Sequence, residues 1–114
     1  MKVAVLLAFA CFSVCYVIAL NEVVWGTETQ SVLGNKKVEV KSGIFDNKIH
    51  TYVFTFPQDP TEQRFPILGI KHVDYKSHPV TVHFLKGGIG DTSVTILVES
   101  QRGHGIKSEF VFFT

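Results

Sequence analysis

Val80-Thr81-Val82-His83-Phe84, Val94-Thr95-Ile96-Leu97-Val98 and Glu109-Phe110-Val111-Phe112-Phe113 are three apolar runs near the end of a 114-residue chain. In the first two, valine, isoleucine and phenylalanine recur at every second position, through Val80, Val82 and Phe84 and through Val94, Ile96 and Val98. Glycines fill the gaps, as Gly87-Gly88-Ile89-Gly90 and as Gly103-His104-Gly105. Period-two runs separated by residues that tolerate positive φ are a strong hairpin signal. The pattern predicts a three-stranded antiparallel meander over residues 79–114.

Upstream the same reading continues. Glu22-Val23-Val24-Trp25-Gly26 is rich in β-branched and aromatic residues and reads as a first strand, with Trp25 as a core plug or an exposed binding aromatic. Lys36-Lys37-Val38-Glu39-Val40-Lys41 alternates charge with valine, as a half-buried strand does. His50-Thr51-Tyr52-Val53-Phe54-Thr55-Phe56 places Tyr52, Phe54 and Phe56 on one face, expected to be the core face. Residues 57–66 are polar and bounded by prolines, so they read as a connecting loop. Ile67-Leu68-Gly69-Ile70-Lys71-His72-Val73 returns to strand, with Gly69 marking a bulge or a close backbone approach. Six or seven short strands without helical periodicity predict an all-β chain, a small antiparallel β-sandwich or flattened barrel.

The chain begins Met1-Lys2 and continues with an apolar run over residues 3–20 that contains Ser13 and four alanines and meets no basic cluster at its end. This is the pattern of a signal peptide, in which Val17 and Ala19 supply the small residues for a cut before Leu20, the first choice, and Ser13 and Cys15 supply the second. The expected division is residues 1–19 as leader and residues 20–114 as one domain. Cleavage there removes both cysteines, Cys11 and Cys15, so the exported chain holds no disulfide and no thiolate ligand or nucleophile. About 95 residues then rely on core packing alone.

Removing Lys2 leaves ten basic and ten acidic residues, scattered along the chain, with Arg64 and Arg102 the two arginines. Nucleic-acid surfaces draw their affinity from clustered Lys and Arg. No direct nucleic-acid binding is expected, and no membrane attachment once the leader has gone. An uncovered sheet edge would allow weak self-association.

Gly87-Gly88-Ile89-Gly90, followed by Val94-Thr95-Ile96 and then by Ser100-Gln101-Arg102-Gly103-His104-Gly105, resembles the insect multiprotein bridging factor two family of transcription activators. The superfamily also holds secreted salivary peptides and midgut proteins of the pathogen response. The resemblance runs from about Thr51 to Phe113 and rests on Gly87, Gly88, Gly90, Ser100, Gln101, Arg102, Gly103, His104 and Gly105. It departs at Ile106-Lys107-Ser108-Glu109, where the family tends to an Asn-Phe pair. The family name implies a nuclear coactivator that binds other transcription factors and not DNA. The leader points outward, and the targeting segment decides the expected compartment, which is extracellular.

Chemistry is sparse. His50, His72, His78, His83 and His104 show no ligand spacing, so no metal site or cofactor is expected. Ser93 and Ser100 lack a nucleophile elbow and a following helix. Glu99 and Glu109 are expected as cross-strand neighbours and not as a catalytic pair flanking a cleft. The glycines at 87–90 precede a strand, which argues against a phosphate cradle. Arg102 either ties neighbouring carbonyls or carboxylates together or recognises a partner from an exposed loop. The expected function is a secreted, non-enzymatic protein that binds a protein partner or small ligand in saliva, gut or haemolymph. The alternatives are an intracellular coactivator and a carrier of a small hydrophobic ligand, whose pocket would be lined by Phe54, Phe56 and Phe84 and hold about 300 Å³ or more.

Overall fold

The alternation of side chains sets which residues face inward, and a computed structural model, which describes residues 21–59, 61 and 65–114, shows the result. The expected leader lies outside the described residues. Among them the chain forms seven strands: β1 (Asn21–Gly26), β2 (Val32–Val40), β3 (Thr51–Phe56), β4 (Gly69–Asp74), β5 (Thr81–Gly87), β6 (Val94–Glu99) and β7 (Ile106–Phe113). They build two antiparallel sheets, one ordered β1-β4-β7-β2 and the other β3-β6-β5.

The expected meander is half right. β5 and β6 form the hairpin, with Val82 opposite Val98 and Phe84 opposite Ile96. β7 leaves that sheet and lies between β4 and β2 in the other one. Its inward face, Ile106, Ser108, Phe110 and Phe112, is buried between the sheets, while Lys107, Glu109 and Val111 on the other face are exposed or half-buried. β7 also begins at Ile106, earlier than the expected Glu109. Glu99 and Glu109 therefore sit in different sheets, Glu99 opposite Thr51 and Thr81 and Glu109 opposite Lys37 and Val73, and are not cross-strand neighbours.

The core lies between the sheets. Val38, Ile70, Ile106, Phe110 and Phe112 from one sheet meet Phe54, Val94, Ile96 and Val98 from the other. Phe56 stacks on Phe112 with ring centroids 4.0 Å apart and planes 4° from parallel, and Phe54 leans on Phe110 at 5.2 Å. Tyr52, Phe54 and Phe56 thus share the inward face, as their spacing requires. Each fully buried phenylalanine contributes on the order of 1.5–3 kcal/mol by area alone. Gly69 is a close approach, since a Cβ there would run into the carbonyl of Thr27. At the β1 edge Trp25 is half-buried against Phe84, with centroids 5.2 Å apart, so it closes one side of the sandwich and does not plug its centre.

Candidate functional site

The nine motif residues separate to opposite ends of the sandwich. Gly87, Gly88 and Gly90 form the β5–β6 turn, with φ of 72°, 147° and 94°. At Gly87 a side chain would also meet the Ser93 carbonyl, so both conformation and space call for glycine there. The turn secures the preceding strap: Gly90 donates its amide to the Ile67 carbonyl at 2.7 Å, and Ile67 donates to Asp91 at 2.8 Å. Ile67 is fully buried as a result.

Residues 100–105 occupy the other end, where they carry the chain from β6 in one sheet to β7 in the other. Ser100 is buried and exchanges two bonds with His50, donating its amide to the His50 carbonyl at 2.8 Å and accepting the His50 amide on Oγ at 2.8 Å. Gln101 donates from Nε2 to the Pro79 carbonyl at 3.2 Å. Arg102 donates from Nη1 to the Asn47 carbonyl at 3.0 Å, and Gly103 donates its amide to the Lys48 carbonyl at 2.9 Å. The His104 ring stacks on His78, with centroids 3.7 Å apart and planes 18° from parallel. Gly105 passes so close to the Val40 carbonyl that a Cβ would collide with it. Every one of these contacts joins the signature to residues 40–50 or 75–80. Arg102 thus ties two loops together while its side chain stays exposed.

Two aspartates shape the loops so gathered. Asp46 accepts the Lys48 amide at 2.9 Å and meets His50 Nε2 at 2.5 Å. The Lys48 amide, with help from His50 and against the cost of desolvation, holds its carboxyl below the usual carboxylate range. Asp74 is fully buried and accepts the amides of Lys76 at 3.1 Å and Val80 at 2.8 Å. It folds residues 75–80 around one carboxylate.

Beside Asp74 on the inward face lies His72, 4% exposed, between Phe110 at 4.7 Å and Trp25 at 6.4 Å. Its Nε2 and the Ser108 hydroxyl are buried without a hydrogen-bond partner. Burial pushes the His72 imidazole down from its ordinary pKa, opposed by the Asp74 charge. Ser108, His72 and Asp74 carry the residue types of a hydrolase, and all three are buried.

The histidines are less scattered than the sequence suggests: His78 stacks on His104, and His50 is bonded to Ser100 and Asp46 at the same end. No group of three or more His, Cys, Asp or Glu residues among the described residues has metal-binding geometry. The expected carrier pocket is divided. Phe54 and Phe56 line an open cleft of about 410 Å³ with Tyr52, Asn35 and Gln58, whereas Phe84 lines another of about 370 Å³ with Trp25 and Val82 at the opposite side. Sequence reasoning missed the Asp74–His72 pair, whose signal was two polar residues at i, i+2 on the core face of a strand. It also missed Ile44 and Phe45, two large apolar residues in a turn setting.

The sequence model of the family described as Transcription activator MBF2 matches residues 25–114. No curated protein and no solved structure gives a significant match.

Proposed function

Since the chain belongs to the Transcription activator MBF2 family, we propose that it is an exported, non-enzymatic recognition protein, acting on a protein or ligand in an extracellular fluid such as saliva, gut lumen or haemolymph. The observation that carries this reading is the N-terminal sequence itself: Met1-Lys2, an apolar run over residues 3–20 with no basic cluster after it, and Val17 and Ala19 ahead of the expected cut before Leu20. The family match starts further in, at residue 25. Recognition is assigned to the end gathered by residues 100–105, because loops held on a rigid β scaffold are where binding residues concentrate.

The family description favours a second reading, an intracellular coactivator that retains its N-terminal segment. One experiment separates the two. The full chain is expressed in insect cells, and intact mass and N-terminal residue are determined for medium, cytoplasm and nucleus. Export predicts a species in the medium beginning near Leu20. A full-length species confined to the nucleus would overturn it and bring the coactivator role forward.

A further inference from the structure

Residues 41–50 carry a feature that neither export nor coactivation explains. The Asp46 amide donates to the Gly43 carbonyl at 3.2 Å, closing a turn whose two central residues are Ile44 and Phe45. They are 95% and 96% exposed, and Ile49 nearby is 44% exposed. Turn centres normally hold Gly, Asn, Asp, Ser or Pro, so two adjacent large apolar side chains held in water are costly unless something covers them. The turn is also held firmly at its base. Asp46 binds the Lys48 amide and His50, and Asn47 and Lys48 are bonded to Arg102 and Gly103.

Charge indicates what covers the tip. The three loops of this end, residues 41–50, 75–80 and 100–105, carry the exposed bases Lys41, Lys48, Lys76 and Arg102. Their one acid, Asp46, is engaged by the Lys48 amide and His50, and neighbouring Asp74 is buried. Among the described residues, the loops at the opposite end carry Glu28, Asp59 and Asp91 and no Lys, Arg or His. Among the described loop residues charge is therefore divided between the two ends, with the basic end bearing the apolar tip; at the acidic end Glu28 is paired with Lys71 at 3.4 Å.

We propose that the Ile44-Phe45 turn inserts into the interface of an anionic lipid membrane, with Lys41, Lys48, Lys76 and Arg102 facing the headgroups. Two adjacent, almost fully exposed apolar side chains at a turn suit an interface that takes them to shallow depth while acidic headgroups attract the basic residues around them. No spanning segment is needed; among the described residues no helix is long and apolar enough to cross a membrane. The proposal departs from the expectation that the chain makes no membrane attachment once the leader has gone. It goes beyond the proposed function and does not rest on export.

The test is flotation of the purified chain with phosphatidylcholine vesicles, with and without phosphatidylserine. Wild type is compared with I44S/F45S and K41Q/K48Q in the same N-terminal form, so that any contribution of residues 1–20 is common to all. Wild type is expected to bind the phosphatidylserine vesicles, with affinity lowered about tenfold or more by I44S/F45S, by K41Q/K48Q, by high salt or by omission of phosphatidylserine. Thermal midpoints should be unchanged in both variants, because the altered side chains are exposed. Absence of binding, binding that ignores phosphatidylserine, or full binding by folded I44S/F45S would each overturn the proposal. Binding to heparin that survives I44S/F45S, with none to vesicles, would also overturn it and assign this end to a soluble polyanion.

Discussion

Arg102 donates from Nη1 to the main-chain carbonyl of Asn47 across 3.0 Å, a bond between loops 55 residues apart in sequence. Both residues are exposed, so the bond replaces one that water would make. Its net contribution is about 0.5–1 kcal/mol. R102A should lower unfolding free energy in urea by that amount, and R102K should recover only part, since an ammonium lacks the planar fork.

Gly105 and Gly43 make a paired test of close approach. At Gly105 a Cβ would strike the Val40 carbonyl, whereas at Gly43 it meets nothing within 4 Å. G105A is expected to cost about 1–3 kcal/mol, as overpacking against backbone does. G43A should remain within about 0.5 kcal/mol of wild type. Equal effects in chemical denaturation would contradict the packing described at the sheet crossing.

The Phe56–Phe112 stack is the tightest aromatic contact of the core. Phe112 is fully buried, so F112A removes a ring from a close-packed site at a cost of about 3–5 kcal/mol. A domain of this size has roughly 5–15 kcal/mol in all. F112A should therefore be marginally folded, with near-ultraviolet circular dichroism much reduced, and F112L less affected.

His72 makes stability depend on pH. Burial lowers its pKa in the folded state, so below the unfolded value of about 6.5 the unfolded chain binds the proton more readily. Stability from this group is complete above that pH and is lost as pH falls from it toward the folded pKa, at no more than about 1.4 kcal/mol per pH unit. The difference in unfolding free energy between wild type and H72F should change over that interval and be flat above pH 7. A constant difference from pH 7 to pH 5 would show that the imidazole charges without penalty.

Much of the fold was legible because half-buried strands alternate visibly: β2, β3, β5 and β6 follow Val38, Phe54, Val82 and Ile96. The destination of β7 was not, since pairing partners are set by long-range packing and a glycine-bearing connection reads alike whether it closes a hairpin or crosses between sheets. β7 alternates like the others, with Phe110 and Phe112 inward and Lys107 and Glu109 outward, so its own pattern does not say which sheet it joins. At the site, Ser100 to Gly105 were marked by resemblance, but their partners Asn47, Lys48, His50 and Pro79 lie far away in sequence and become neighbours only through the two-sheet topology. Ile44 and Phe45 were missed: two large apolar residues argue for burial, and only the turn closed by the Asp46 amide on the Gly43 carbonyl leaves them exposed.

Whether residues 100–105 work as a clasp on residues 46–50 is measured most directly by amide hydrogen exchange in wild type and in S100A, which removes the acceptor of the His50 amide. A clasp predicts slow exchange at His50, Ser100 and Gly103 in wild type. In S100A it predicts faster exchange at His50 and Gly103, with the Gly90 amide at the opposite end unchanged. Rapid exchange at these three amides in wild type, or an S100A pattern indistinguishable from wild type, would contradict it.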